Sequence, residues 1–168
     1  AYEQKGSAWV MVQPLNTGYR LPTEAEWAWA ARYADGPTPS RFPWGDAMPP
    51  VDVSANYADE TAENMVPYTI SGYNDTFRGP APVGSFEPNA FGIYDLAGNV
   101  SEWIHDVYSL DLQRDTLTDP MGPETGEYHV IRGSSYTHGR FSELRWTYRD
   151  YGDKPRTDVG FRLARYLE

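Results

Sequence analysis

The sequence predicts one irregular, loop-rich α+β domain, with a single clear helix, a few short strands and aromatic side chains knitting long connections together. Thirteen Tyr and six Trp stand beside 15 Gly and 14 Pro in 168 residues, so a large aromatic payload sits in a chain that is repeatedly interrupted. Hydrophobic residues reach 40%, which argues against a disordered chain. The length suits one domain with a core and is short for two.

Charge and composition narrow the function classes. A formal charge of -10 leaves no surplus of Lys and Arg to neutralise phosphates, so nucleic acid is not an expected partner. The same charge is compatible with bound cations, which would relieve self-repulsion. The absence of cysteine removes disulfides, thiolate metal sites and thiol nucleophiles together. No stretch approaches the roughly 20 apolar residues of a membrane span, and no secretory apolar region opens the chain. The chain starts without Met, and we expect it to be a part excised from a longer protein.

Along the chain, residues 8–13 (AWVMVQ) read as a short strand and 14–18 as a turn. Residues 22–32 read as a helix: Thr23 followed by Glu26 is a capping box, and Glu24 and Glu26 suit the positive end of the helix dipole. The helix should reach Tyr33 or Ala34 and stop before Asp35-Gly36-Pro37. Trp27, Ala30 and Ala31 share one face, as a core would require. Phe42-Pro43-Trp44-Gly45-Asp46 is an aromatic anchor within a loop, and a long aperiodic polar stretch then carries Asn56 and Asp75. A loop of that length is either functional and metal-braced or simply exposed. Residues 103–108, 128–133 and 160–164 read as strands, and 111–127 as a turn-rich loop.

The most informative stretch is 91–103, FGIYDLAGNVSEW. Gly98 and Asn99 bend the backbone between Asp95 and Glu102, drawing two carboxylates and the intervening carbonyls toward one point. Convergent oxygens suit a hard cation, above all calcium. A tight turn with two solvated acids is the alternative.

Taken in order, six blocks resemble the formylglycine-generating, sulfatase-modifying family. They are 19–27 (YRLPTEAEW), 42–46 (FPWGD), 55–57 (ANY), the FGIYDLAGNVSEW run, 131–136 (IRGSSY) and 159–162 (VGFR). The match runs from Tyr19 to the end and leaves the family's N-terminal portion unrepresented. The resemblance implies an α+β domain of C-type-lectin-like type with little regular structure, formed by 1–168 as one unit. It implies two calcium sites. One would use the Asp95 and Glu102 side chains with the Gly98 and Val100 carbonyls. The other would use Asn56, the Tyr57 carbonyl, Asp75 and the Phe77 carbonyl. Asp95 stands where relatives often carry Asn, Ser134 where they usually carry Gly, and Ser101 where they often carry Trp.

The family's chemistry depends on copper(I) held by two cysteine thiolates, the soft ligands that ion selects. Here His138 and Glu143 occupy the corresponding segment, so no copper is expected. Ser135, His138 and Glu143 are the catalytic candidates, as a proton-handling group; the plainer reading is a surface histidine beside a solvated glutamate. Arg132, Arg149 and Arg162 read as structural bridges. Three function classes follow: a calcium-braced recognition or assembly module for a protein or small-molecule ligand, a cysteine-independent oxidoreductase such as the resemblance implies for siderophore maturation, and formylglycine generation, which the ligand chemistry disfavours most. Millimolar-range calcium sites point to the periplasm or cell surface.

Overall fold

The computed structural model describes residues 1–6, 8–111 and 116–167; four residues of the predicted 111–127 loop lie outside the described residues. Strands β1 (Tyr2–Lys5) and β2 (Ala8–Met11) form an antiparallel hairpin. The sequence signalled β2 but not β1, whose polar residues carry no alternation and are mostly exposed.

Helix α1 spans Glu24–Arg32 and is capped as the Thr23/Glu26 pattern predicts. Thr23 Oγ1 accepts from the Glu26 N–H at 3.2 Å, and Glu26 Oε2 accepts from the Thr23 N–H at 2.9 Å. Arg20 then forks across both Glu26 oxygens at 2.6 Å, tying the chain entry to the first turn. Trp27 and Ala31 are buried, whereas Ala30 is half-buried.

Four strands make the main sheet in the order β5-β4-β3-β6: β3 (Ser101–Val107), β4 (His129–Arg132), β5 (Arg149–Gly152) and β6 (Val159–Gly160). The β3-β4 and β4-β5 pairs are antiparallel, and β6 runs parallel to β3. Two predicted strands are present, with β3 starting two residues before the expected 103–108. The predicted 160–164 strand is corrected: only Val159–Gly160 joins the sheet, and Ala164 instead bridges Arg20. β5 reads Arg149-Asp150-Tyr151-Gly152, and its extended state comes from pairing with β4, not from local preference.

Burial alternates along β3, with Ile104 and Asp106 buried and Trp103, His105 and Val107 half-buried. The buried face packs on α1, where Trp27, Ala31, Leu96, Ile104 and Val130 form one core. A second core gathers Phe42, Tyr57, Ile70, Tyr73 and Leu144. There the predicted aromatic anchor is a Phe42-Trp44 stack at 4.9 Å, with Phe141 edge-on to Phe42. No helix among the described residues is long and apolar enough to cross a membrane.

Asp106 on β3 accepts from the Glu24 N–H at 2.8 Å, closing the start of α1. Burial is the largest influence on its carboxyl and pushes its pKa from 3.8 up to about 6, although the bond from Glu24 opposes the shift. A carboxyl raised in the folded state binds its proton more tightly there than in the unfolded chain, so its contribution falls as pH rises from 4 to 6. We expect Asp106→Asn, which keeps an oxygen for Glu24, to stabilise the protein by about 1 kcal/mol at pH 7. The difference between variant and parent should vanish near pH 4 in paired denaturation curves.

Candidate functional site

The long polar loop folds inward. Asn56 and Asp59 are completely buried and Asp75 is 3% exposed. Asp75 Oδ2 accepts from the Tyr57 N–H at 2.8 Å and Oδ1 from the Phe77 N–H at 2.9 Å. Asp59 Oδ2 accepts from the Asp75 N–H at 2.6 Å, and its Oδ1 from the Thr61 N–H at 2.8 Å. The Thr61 hydroxyl lies between Asp59 Oδ1 and the Phe77 carbonyl, at 2.6 and 2.9 Å. Asn56 donates through Nδ2 to the Gly79 carbonyl at 2.8 Å, yet its Oδ1 is buried with no partner.

This pattern is short of positive charge. Neither Asp59 nor Asp75 is paired with a basic side chain among the described residues. Burial raises the Asp75 pKa and the Asp59 carboxylate adds to it, while the two backbone N–H bonds pull the other way. An orphaned buried oxygen costs about 1–3 kcal/mol, and Asn56 Oδ1 is one. Thr76, between Asp75 and Phe77, holds φ at 74°, a strained value for a β-branched residue.

The second loop is built differently. Asp95 (φ 55°) accepts from the Gly84 N–H at 2.7 Å through Oδ2, and its Oδ1 is buried without a partner. Glu102 is fully engaged: Oε2 accepts from Trp27 Nε1 and Arg162 Nε, both at 2.7 Å, and Oε1 from Arg162 Nη2 at 2.5 Å. Arg162 thus supplies the positive charge that a cation would bring to Glu102. The two loops touch through Asn56, whose carbonyl accepts from the Asn99 N–H at 2.7 Å. At Gly98 (φ 67°) a Cβ would lie 2.4 Å from the Asn56 carbonyl oxygen, so only glycine permits this approach.

No group of three or more His, Asp or Glu converges among the described residues, so any cation here must draw on amide and main-chain oxygens as well. Calcium accepts such donors. The residues of the first loop fit it: Asn56 offers a free oxygen, and Asp75 offers a carboxylate with no cationic partner. In the second loop Asp95 fits, whereas Glu102 would have to share its carboxylate with a guanidinium.

His138 is buried, at 8% exposure, and is not the surface histidine of the plainer reading. Its Nδ1 accepts from the Ser135 N–H at 3.0 Å, which places the ring proton on Nε2. Burial lowers its pKa, with Glu143 opposing, so the imidazole is neutral at pH 7. Ser135 Oγ lies 2.8 Å from Thr137 Oγ1 but 3.5 Å from His138 Nδ1, a lone pair already in use. Glu143 turns back to accept from the Arg140 N–H at 3.1 Å. Ser135 and His138 therefore meet without the geometry of a nucleophile and its base, and Glu143 bonds to neither.

Sequence reasoning missed Asp59, although an Asp directly before Glu60-Thr61 is a cap pattern; its side chain caps a short 3-10 turn at Glu60–Ala62. It also gave Glu102 no partner. The structural role expected for the arginines is present: Arg132 donates to the carbonyls of Trp146, Thr147 and Tyr148, and Arg149 Nε to Glu24 Oε1 at 2.7 Å.

One capped helix on a small mixed sheet, with long inward-folded loops, defines an irregular α+β scaffold of the C-type-lectin-like, formylglycine-generating-enzyme-like class. The chain belongs to that family: the sulfatase-modifying factor enzyme 1-like domain matches residues 1–167. It is 41% identical over 123 residues to the formylglycine-generating enzyme of Thermomonospora curvata, covering 71% of this chain and 39% of that relative. Among solved structures it is similar to Treponema denticola variable protein 1, with TM-score 0.67 and 31% identity over 88% of this chain and 47% of that one. It is also similar to PvdO from Pseudomonas aeruginosa, with TM-score 0.64 and 32% identity over 89% and 53%. The chain thus spans about two-fifths of the curated relative it matches and about half of each structure.

Proposed function

We propose that this domain is a calcium-braced recognition or assembly module on the formylglycine-generating-enzyme scaffold, without copper-dependent oxidase chemistry. The carrying observation is the ligand set. The chain has no cysteine, and in the segment where the family resemblance puts the thiolate pair, His138 is a neutral buried imidazole and Glu143 bonds to its own turn. Neither group can replace a soft sulfur clamp for copper(I). The orphaned Asn56 Oδ1, one residue before the Tyr57 N–H that Asp75 accepts from, supports calcium as the brace, and calcium-rich surroundings outside the cytoplasm suit a site of that kind. Exposed Trp9, Trp29 and Phe161 supply contact area for a protein or small-molecule ligand at low entropic cost.

A second reading, a cysteine-independent enzyme, rests on the Ser135-Thr137-His138 cluster alone, in which Ser135 and His138 are buried and Thr137 is half-buried. Competition titration with copper(I) and incubation with a cysteine-containing sulfatase peptide test the main reading. We expect no tight copper(I) binding and no aldehyde product; conversion of the peptide would overturn it. Any turnover that disappears in His138→Ala would establish the second reading in its place.

A further inference from the structure

We propose that the half-buried face of the β3-β4 pair carries a site for a divalent transition ion of the zinc, nickel or copper(II) class, held by Nε2 of His105 and Nε2 of His129. Imidazole suits such ions, whereas the oxygen-lined loops suit hard ones, so this site is chemically separate from the calcium reading.

The register places the two histidines on one face, across an irregularity between Trp103 and Val107. Val107 pairs with His129, which puts His129 on the β3 face that carries Trp103, His105 and Val107. Both rings line one cavity of about 450 Å3, with Tyr2, Trp9 and Leu21. Burial, and to a smaller extent His129, lower the His105 pKa, and the neutral imidazole is the form that coordinates metal.

Each ring is already oriented through its other nitrogen. His129 Nδ1 lies 3.1 Å from the His105 carbonyl oxygen. A carbonyl can only accept, so Nδ1 carries the proton and Nε2 keeps its lone pair. An imidazole anchored in this way is the usual outer-shell arrangement of a metal-binding histidine. His105 Nδ1 lies 3.1 Å from the Tyr2 hydroxyl, which also accepts from the Leu21 N–H at 3.2 Å. The phenol can donate to Nδ1 or accept from it, so moving the His105 proton from Nε2 to Nδ1 frees Nε2 and breaks no bond. Water in the cavity would complete the coordination shell. His138, the third histidine of the chain, stands apart with Nδ1 in use.

The test is a zinc chloride titration of the full chain in excess calcium chloride, which saturates the hard-oxygen loops first. It is followed by imidazole 15N chemical shifts and by calorimetry. We expect the His105 and His129 Nε2 signals to move together on one isotherm while His138 stays still. His129→Ala, at an exposed position, should abolish the shared isotherm, and Tyr2→Phe should weaken zinc by about tenfold through loss of the outer-shell anchor. Movement of one ring alone, movement of His138, or undiminished binding by His129→Ala would overturn the site.

Discussion

In calcium at a hundredfold its dissociation constant the protein should melt about 5–10 °C higher than in excess chelator. A cation bound only by the folded state at a hundredfold its dissociation constant contributes about 2.7 kcal/mol, and a domain of this length converts each kcal/mol into about 2–4 °C. The structural reason is local. Among the described residues Asn56 Oδ1 is buried without a donor, and the buried Asp59 and Asp75 form no ion pair with a basic side chain. Asp75→Asn removes the charge a cation would need. Its amide would also face a backbone N–H that now meets an oxygen, so some calcium-independent stability should go as well. The informative readout is therefore the calcium increment, which should fall in the variant to what the second loop alone supplies. Coincident melting curves for the parent with and without calcium would remove the brace from the proposal.

Position explains how such a brace would matter beyond stability. The Ala58 N–H donates to the His138 carbonyl at 3.1 Å, and the Tyr136 N–H to the Asn99 carbonyl at 2.8 Å. The 135–138 turn thus hangs on the loop that carries Asn56 and on the bend that carries Gly98 and Asn99. Those two are joined in turn by the Asn99 N–H to Asn56 carbonyl bond. A cation ordering the first loop would fix the backbone on which His138 sits. Recognition residues around that turn would be presented by the same ordering.

What could be read from residues alone was whatever is local in sequence. The Thr23/Glu26 box specifies the start of α1 because both partners lie within one turn. β3 and β4 are legible because β-branched and aromatic residues cluster in short runs, Trp103-Ile104 with Val107 and Val130-Ile131. β1 and β5 are not, since Tyr2-Glu3-Gln4-Lys5 and Arg149-Asp150-Tyr151-Gly152 become strands only by pairing. Asp95 is legible in the Gly98-Asn99 bend, and Asn56 and Asp75 in a long aperiodic loop, whereas their grouping into two ligand sets comes from family resemblance; Asn56 and Asp95 each keep a buried oxygen that has no partner among the described residues. The hold of Arg162 on Glu102 spans 60 positions. The meeting of Ser135 with His138 depends on which nitrogen accepts a backbone N–H. Neither fact has a signature in spacing.

The Arg162-Glu102 contact makes the second loop the sharper test of the calcium reading. Glu102 is 6% exposed and Arg162 26%, so Arg162→Met strands a nearly buried carboxylate with only the Trp27 indole N–H. Losing one partner of such a pair should cost about 3 kcal/mol, the low end for buried pairs because Arg162 is partly open to solvent. In chelator the variant should show that full loss. In calcium it should recover part of it, because Glu102 is then free to join Asp95 Oδ1 and the Gly98 and Val100 carbonyls around a cation. The calcium increment should therefore be larger in Arg162→Met than in the parent, measured as paired urea midpoints with and without calcium. An equal increment would mean that Glu102 never serves as a ligand and that the guanidinium is the permanent counter-charge of this loop. The brace would then rest on Asn56 and Asp75 alone.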